Sequence, residues 1–131
     1  MMNQHFLKII NSQDSEAQFQ LANALFEGEE MQKDDVRALQ LYERAAQLGH
    51  ADALNNAADM YLNGEGTAVN YNKARALFEE AASRGVAEAY FTLAMMYETA
   101  LGVSHDAQLA LHYYEQAAAL GDVEAVYYLG M

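Results

Sequence analysis

A repeat of 36 residues constrains this chain more than any other feature of its sequence. Its register is carried by small and apolar residues that recur at fixed places, such as Ala17, Ala53, Ala89 and Ala125. A period of about 20 to 50 residues is typical of stacked solenoids and propellers, so the repeat indicates the architecture before any local pattern does. The sequence divides into an N-terminal capping segment, three full repeats and a partial repeat, at residues 1–14, 15–50, 51–86, 87–122 and 123–131.

Each repeat carries two apolar stripes with helical spacing. In the first repeat Leu21 and Leu25 belong to one stripe, and Leu41 and Ala45 belong to the other. The chain has no proline, which favours helix. Residues that cap helix starts precede each second helix, at Asp34, Asn70 and Asp106. Glycines that suit helix ends follow it, at Gly49, Gly85 and Gly121. The sequence therefore predicts an all-α protein of stacked helix pairs.

The two ends of such a stack must be covered. We expect residues 1–14 to form a capping helix that covers the first repeat with four apolar side chains, Phe6, Leu7, Ile9 and Ile10. The partial repeat is apolar and has no second helix, and a bare apolar edge attracts a partner. Either the chain is a fragment of a longer repeat array or this end is closed by self-association, and our hypothesis is a homodimer through the C-terminal helix.

Charge and composition exclude several classes of protein. Nineteen acids against seven bases give a net charge of -12. Nucleic-acid and anionic-membrane binding need clustered Lys and Arg, so neither is expected. Cysteine is absent, which excludes a thiol nucleophile and a disulfide framework. The N-terminal apolar run is too short for a signal peptide, and we expect a cytoplasmic protein.

Catalytic and metal-binding patterns are weak. The four histidines lie in different segments without a helical-turn partner of the zinc-site kind, so we interpret them as solvated or locally hydrogen-bonded. Adjacent acid pairs such as Asp34 and Asp35 do not share a helix face. We therefore predict no enzyme activity, no cofactor and no metal site.

The repeated pattern Ala-x-x-x-Leu-Ala, a Gly-rich link and Asp/Asn-x-x-x-Ala-x-x-Leu-Tyr/Phe-x-x-Ala-Ala-x-x-Gly resembles the Sel-one-like repeat (SLR) branch of the tetratricopeptide-like superfamily. This resemblance implies a right-handed α/α superhelical solenoid and an adaptor function. The link's second glycine is present as Gly66 and Gly102 but is Glu30 in the first repeat. One subgroup of the family is cysteine-rich. Its activities are not expected here because this chain has no cysteine.

The resemblance also implies that the first helix of each repeat lines a concave groove. The inward positions are Phe19, Asn23, Phe26 and Glu27 in the first repeat, Asn55, Asp59, Leu62 and Asn63 in the second, Phe91, Met95, Glu98 and Thr99 in the third, and Tyr127 in the partial repeat. Amides can pair with a peptide backbone and rings can pack on its side chains. We expect Asn55 to pair with backbone, and Asp59 and Glu98 to favour basic side chains. Alternatively, the three rings at Phe19, Phe91 and Tyr127 pack between neighbouring first helices.

Two functions follow from this interpretation. The first is a non-enzymatic adaptor that binds a protein or peptide in the groove. The alternative is an inhibitor or immunity-type protein, whose acidity masks a basic surface of a toxin or enzyme.

Overall fold

The structure, a computed structural model, describes residues 2–28 and 32–129. These residues form eight helices and no strand, so the predicted all-α fold is confirmed. The helices are α1 (Met2–Ile10), α2 (Ser15–Glu27), α3 (Asp35–Gln47), α4 (Ala51–Asn63), α5 (Tyr71–Ser83), α6 (Ala87–Glu98), α7 (Ala107–Ala119) and α8 (Val123–Tyr128). None of them is long and apolar enough to cross a membrane within the described ranges.

Each helix packs on the helices before and after it in the chain, which gives consecutive helix pairs. Small residues allow this close packing: fully buried alanines lie in every helix from α2 to α8. One buried cluster runs from Phe6 to Met96, and a second surrounds Tyr114 near the C-terminal end. The first helices of the repeats are α2, α4, α6 and α8, and the second helices are α3, α5 and α7.

The helix caps predicted from the sequence are present. The side chains of Asp34, Asn70 and Asp106 each accept a hydrogen bond from the backbone N–H three residues later, at 3.0 Å. Gly49 follows the last turn of α3 with a φ of 96°, a conformation that glycine adopts without steric cost. These caps fix where each second helix begins and ends.

The link after α4 packs tightly on the preceding repeat. Gly66 has a φ of 72°, and a Cβ placed on it would lie 2.5 Å from the carbonyl oxygen of Asp35, at the start of α3. Only glycine leaves room for this approach. The corresponding glycine position of the first repeat is Glu30, which lies outside the described residues.

Helix α1 is held by an unusual buried glutamine. Gln18 in α2 is fully buried, and its Nε2 donates to the carbonyl oxygens of Ile9, Ile10 and Ser12 at 3.1–3.2 Å. It thereby pairs acceptors left over at the end of α1. Of the four predicted covering side chains, Phe6 is buried and Ile9 and Ile10 are partly buried. The expectation for Leu7 was wrong: it is 54% exposed because it lies on the outer face of α1.

Candidate binding groove

Three clefts follow one another along the first helices of the repeats. The first has a volume of about 520 Å³, the second about 750 Å³ and the third about 430 Å³. Asn56 lines both the first and the second cleft, and Glu88 lines both the second and the third. The clefts therefore adjoin one another in a row from α2 to α8, and we call this row the groove.

The first cleft lies between α2 and α4, over the side chain of Tyr42 from α3. Tyr42 is only 2% exposed, and its hydroxyl donates a hydrogen bond to Oδ1 of Asn23. Burial raises the pKa of Tyr42 to about 12, so the hydroxyl stays protonated and remains a donor. The remaining lining combines amides, acids and two apolar side chains: Phe26, Glu27, Asn56, Asp59, Met60, Asn63 and Glu65.

The main electrostatic feature of this cleft is the raised pKa of the Asp59 carboxyl. Burial of its carboxyl, together with the negative charges of Glu88 and Glu65, raises its pKa from 3.8 to about 6. No described donor forms a hydrogen bond or ion pair with this carboxylate. A cation in the cleft would lower the pKa again because it would offset the surrounding negative charge.

The second cleft lies at the starts of α2, α4 and α6. His50 caps α4 through Nδ1, which accepts from the N–H of Ala53 at 3.2 Å, and its Nε2 lies 2.9 Å from Oε1 of Glu16. The ring of Phe19 stacks on His50 with a centroid distance of 4.2 Å. This histidine is locally hydrogen-bonded, as the sequence indicated. The described residues contain no group of three or more His, Asp or Glu that could hold a metal ion.

Asn55 lies deeper in the second cleft. Its side chain lines the cleft, yet the residue is only 4% exposed. Its Oδ1 has no hydrogen-bond donor among the described residues. Since buried polar groups are nearly always paired, this oxygen is an acceptor without its donor.

The third cleft is lined by Phe91, Thr92, Val123 and three acids, Glu88, Asp122 and Glu124, and a cluster of aromatic rings packs beside it. Phe91 contacts Tyr114 and Tyr128 with centroid distances of 5.4 and 5.5 Å, and the two tyrosines stack on each other at 5.1 Å. The hydroxyl of Tyr114 donates to Oε1 of Glu98 at 3.0 Å. Tyr127 takes no part in this cluster and is 84% exposed.

The structure gathers some of the proposed groove residues and separates others. Five line the first cleft, namely Asn23, Phe26, Glu27, Asp59 and Asn63. Phe19 and Asn55 line the second cleft, and Phe91 lines the third. Glu98 lies in a separate cleft of about 250 Å³ between α7 and α8. Leu62 packs against the core, Met95 is partly buried, and the Thr99 hydroxyl donates to the Met95 carbonyl oxygen at 2.7 Å.

The rings of Phe19 and Phe91 fit both the groove expectation and the packing alternative. Each ring lines a cleft, and each also contacts a ring of another helix. Several lining residues were missed by the sequence reasoning, among them Tyr42, Asn56, Glu65 and Glu88. Asn56 and Glu88 are neighbours of assigned positions on the same helices. Assigning more positions of each first helix to the groove would have included these two residues.

The fold is an α-solenoid of tetratricopeptide-like helix pairs, with a row of clefts along the first helices. The Sel1 repeat matches this sequence three times, at residues 15–50, 51–86 and 87–122. The chain therefore belongs to the Sel1 repeat family, whose fold typically mediates protein interactions and is generally non-catalytic. No curated protein matches the chain at a significant level.

Solved structures show the same fold. A Sel1 repeat protein from Oxalobacter formigenes has a TM-score of 0.82 and 26% identity over 95% of this chain and 55% of its own. A protective antigen of uropathogenic Escherichia coli strains that displays an SLR fold has a TM-score of 0.83 and 28% identity over 88% of this chain. This chain thus spans 55% and 25% of these two proteins.

The Helicobacter pylori cysteine rich protein B is similar in fold alone. Its TM-score is 0.68, with 20% identity over 86% of this chain and 92% of that one.

Proposed function

We propose that this chain is a non-enzymatic scaffold that binds a protein or an extended peptide in the groove between α2 and α8. The observation that carries the proposal is the continuity of the three clefts, because Asn56 and Glu88 join them into one path. A path of this length along several helices suits an extended chain better than a compact metabolite.

The lining supports a peptide as the occupant. Amide side chains at Asn23, Asn56 and Asn63 can both donate to and accept from a peptide backbone. Phe26, which is partly buried, offers apolar surface in the same cleft. Binding would then combine backbone hydrogen bonds with packing of the ligand's side chains.

The test is selection of random dodecapeptides displayed on phage, followed by affinity measurements with purified variants. We expect selected peptides to bind at least about tenfold more weakly to the double variant Asn55→Ala, Asp59→Ala, which removes polar groups from both clefts. The double variant Gln108→Ala, Glu115→Ala is the matched control, since both residues are exposed on α7 and line none of the clefts. Equal binding to both double variants, or no enrichment of any peptide, would count against the proposal.

An inhibitor or immunity-type function is the second candidate. It is favoured by the carboxylates that face the groove, Glu27, Asp59, Glu65 and Glu88, in a chain of net charge -12. Such a protein would bind a basic folded surface with a strong salt dependence. Tight binding of a folded basic protein that is lost in high salt, without enrichment of any dodecapeptide, would favour this candidate over the peptide scaffold.

We also propose a homodimer through α8. Val123 is 80% exposed, Tyr127 84% and Tyr128 58%, which is unusual for apolar and aromatic side chains on one short helix. A second copy could bury these side chains. We expect the mass in solution to rise with concentration and Tyr127→Asp to suppress that rise. A constant monomer mass for the unaltered chain would contradict this.

A further inference from the structure

The groups left without partners where the first and second clefts meet are all acceptors. Asn55 contributes a buried Oδ1 that lacks a donor among the described residues. Asp59 lies four residues later, on the same face of α4, and contributes a half-buried carboxylate. Glu88 from α6 lines the same cleft as Asn55 and is close enough to Asp59 to raise its pKa.

Acids outnumber bases around this point. Glu27 from α2 and Glu65 from the link after α4 line the first cleft with Asp59, and Tyr42 from α3 contributes a protonated hydroxyl. The basic residues in or beside the two clefts have other partners: Arg84 pairs with Glu80 at 3.5 Å, His50 bonds Glu16 at 2.9 Å, and Lys33, which lies over the ring of Phe26, pairs with Asp35 at 2.8 Å. Within the described ranges none of them donates to Asn55 or Asp59.

We infer that the boundary between the first and second clefts binds an arginine side chain of the partner, with its guanidinium between Asn55, Asp59 and Glu88. A guanidinium is permanently charged, accepts no hydrogen bonds and presents five N–H groups in one plane, so it can serve an amide oxygen and two carboxylates together. A lysine ammonium is a compact point charge with three donors. The inference rests on the proposed groove function and adds the side chain that the groove selects.

The first cleft also suits the rest of an arginine side chain. Phe26 lines this cleft with Asp59, and the aliphatic stem of arginine packs readily on such an apolar ring. Because Asn56 borders both clefts, a side chain entering the first cleft can direct its end group towards Asn55 in the second. The peptide backbone would then lie along the open side of α4.

The test is an NMR titration of the chain with the capped peptide acetyl-Ala-Ala-Arg-Ala-Ala-amide at pH 7.5. The comparison peptides carry lysine or citrulline in place of arginine, and citrulline keeps the shape but not the charge. We expect the arginine peptide to shift the Asn55 side-chain amide and the Asp59 carboxyl signals, and to bind at least tenfold more tightly than the citrulline peptide. The pKa of Asp59 should fall on binding, and affinity should decrease as the pH is lowered from 7 to 5, because Asp59 then gains a proton.

Two variants separate the site from general effects. Asn55→Leu removes the unpaired oxygen and Asp59→Asn removes the charge. Each should weaken arginine-peptide binding at least tenfold, while the control Glu115→Gln, an exposed acid on α7, should not. Thermal melting of each variant verifies that it is folded.

The outcomes distinguish this inference from the groove function. Equal binding of the citrulline peptide, or arginine-peptide shifts confined to other groove residues such as Phe91, would overturn the arginine site and leave the groove intact. If no peptide shifts any groove residue and no displayed peptide is enriched, both proposals fail.

Discussion

The first and last inter-repeat junctions of the solenoid have the same architecture, but different side chains surround the buried tyrosine of each. At the first junction, between α2 and α4, Tyr42 from α3 is buried under amides and acids, and its hydroxyl bonds Asn23. At the last junction, between α6 and α8, Tyr114 from α7 occupies the same repeat position. There it packs between the rings of Phe91 and Tyr128.

The difference underlies the binding site that we propose. Rings at the last junction pack on one another. Near the first junction the Asn55 Oδ1 and the Asp59 carboxylate have no donor among the described residues, and in our proposal a ligand supplies it. Since buried alanines lie at both junctions, we expect specificity to depend on the few side chains that point away from that core. A substitution at one junction can be compared with a substitution at an equivalent position elsewhere in the chain.

The largest effect is expected for Gly66→Ala, at the link that packs on α3 beside the first junction. The new Cβ would meet the Asp35 carbonyl oxygen at 2.5 Å, and the φ of 72° is unfavourable for alanine. We expect the free energy of unfolding to fall by about 3 kcal/mol or more, measured by urea denaturation. Gly85→Ala is the control: its φ is 89° but nothing lies within 4 Å, so a loss of only about 1 kcal/mol is expected. Equal losses of unfolding free energy in the two variants would mean that the contact between Gly66 and Asp35 can adjust to a Cβ atom.

Asp59→Asn should instead stabilise the first junction. Its pKa is raised to about 6 in the folded chain, so the folded state binds more protons than the unfolded state between about pH 4 and 6. The stability from this group is therefore present below pH 4 and is lost as the pH rises through 6. Removing the charge should raise the free energy of unfolding at pH 7 by about 2 kcal/mol and flatten its pH dependence over that window.

The control for this prediction lies at the last junction. Glu98→Gln changes an exposed carboxyl, so we expect a change of less than about 0.5 kcal/mol at pH 7. A loss of stability in Asp59→Asn would show that the carboxylate already has a stabilising partner in the folded chain.

Much of the fold was predictable because it depends on local and repeated signals. The caps at Asp34, Asn70 and Asp106 act within one turn, and the helical stripes recur every 36 residues. The groove was less accessible to sequence reasoning because it depends on how neighbouring helices are rotated. Asn56 lines the clefts beside Asn55, and the charge of Glu88 from the next repeat raises the pKa of Asp59. A pattern within one helix does not specify such a relation between helices.

Removing the two equivalent tyrosine hydroxyls compares the junctions directly. Tyr42→Phe leaves Asn23 without its buried donor, so we expect a loss of about 1 kcal/mol in the free energy of unfolding. Tyr114→Phe should cost less than about 0.5 kcal/mol, because the exposed Glu98 can bond water instead. Phe78, which is fully buried at the same position of the second repeat, shows that phenylalanine fits there. A larger loss at Tyr114 would reverse the proposed contrast in polarity.

The smallest effect concerns the link of the third repeat, close to the last junction. Ala100 has a φ of 57° at the position where the second repeat has Gly64, and a left-handed alanine costs about 1 kcal/mol. Ala100→Gly should recover part of this cost, and we expect a gain of about 0.5 kcal/mol after the added chain entropy of glycine is subtracted. Gly64→Ala is the reciprocal change and should be destabilising, since its Cβ would lie 2.8 Å from Cγ2 of Val69. An unchanged thermal melting temperature in Ala100→Gly would mean that the left-handed conformation of Ala100 costs little. The links after α4 and α6 would then differ in sequence but not in stability.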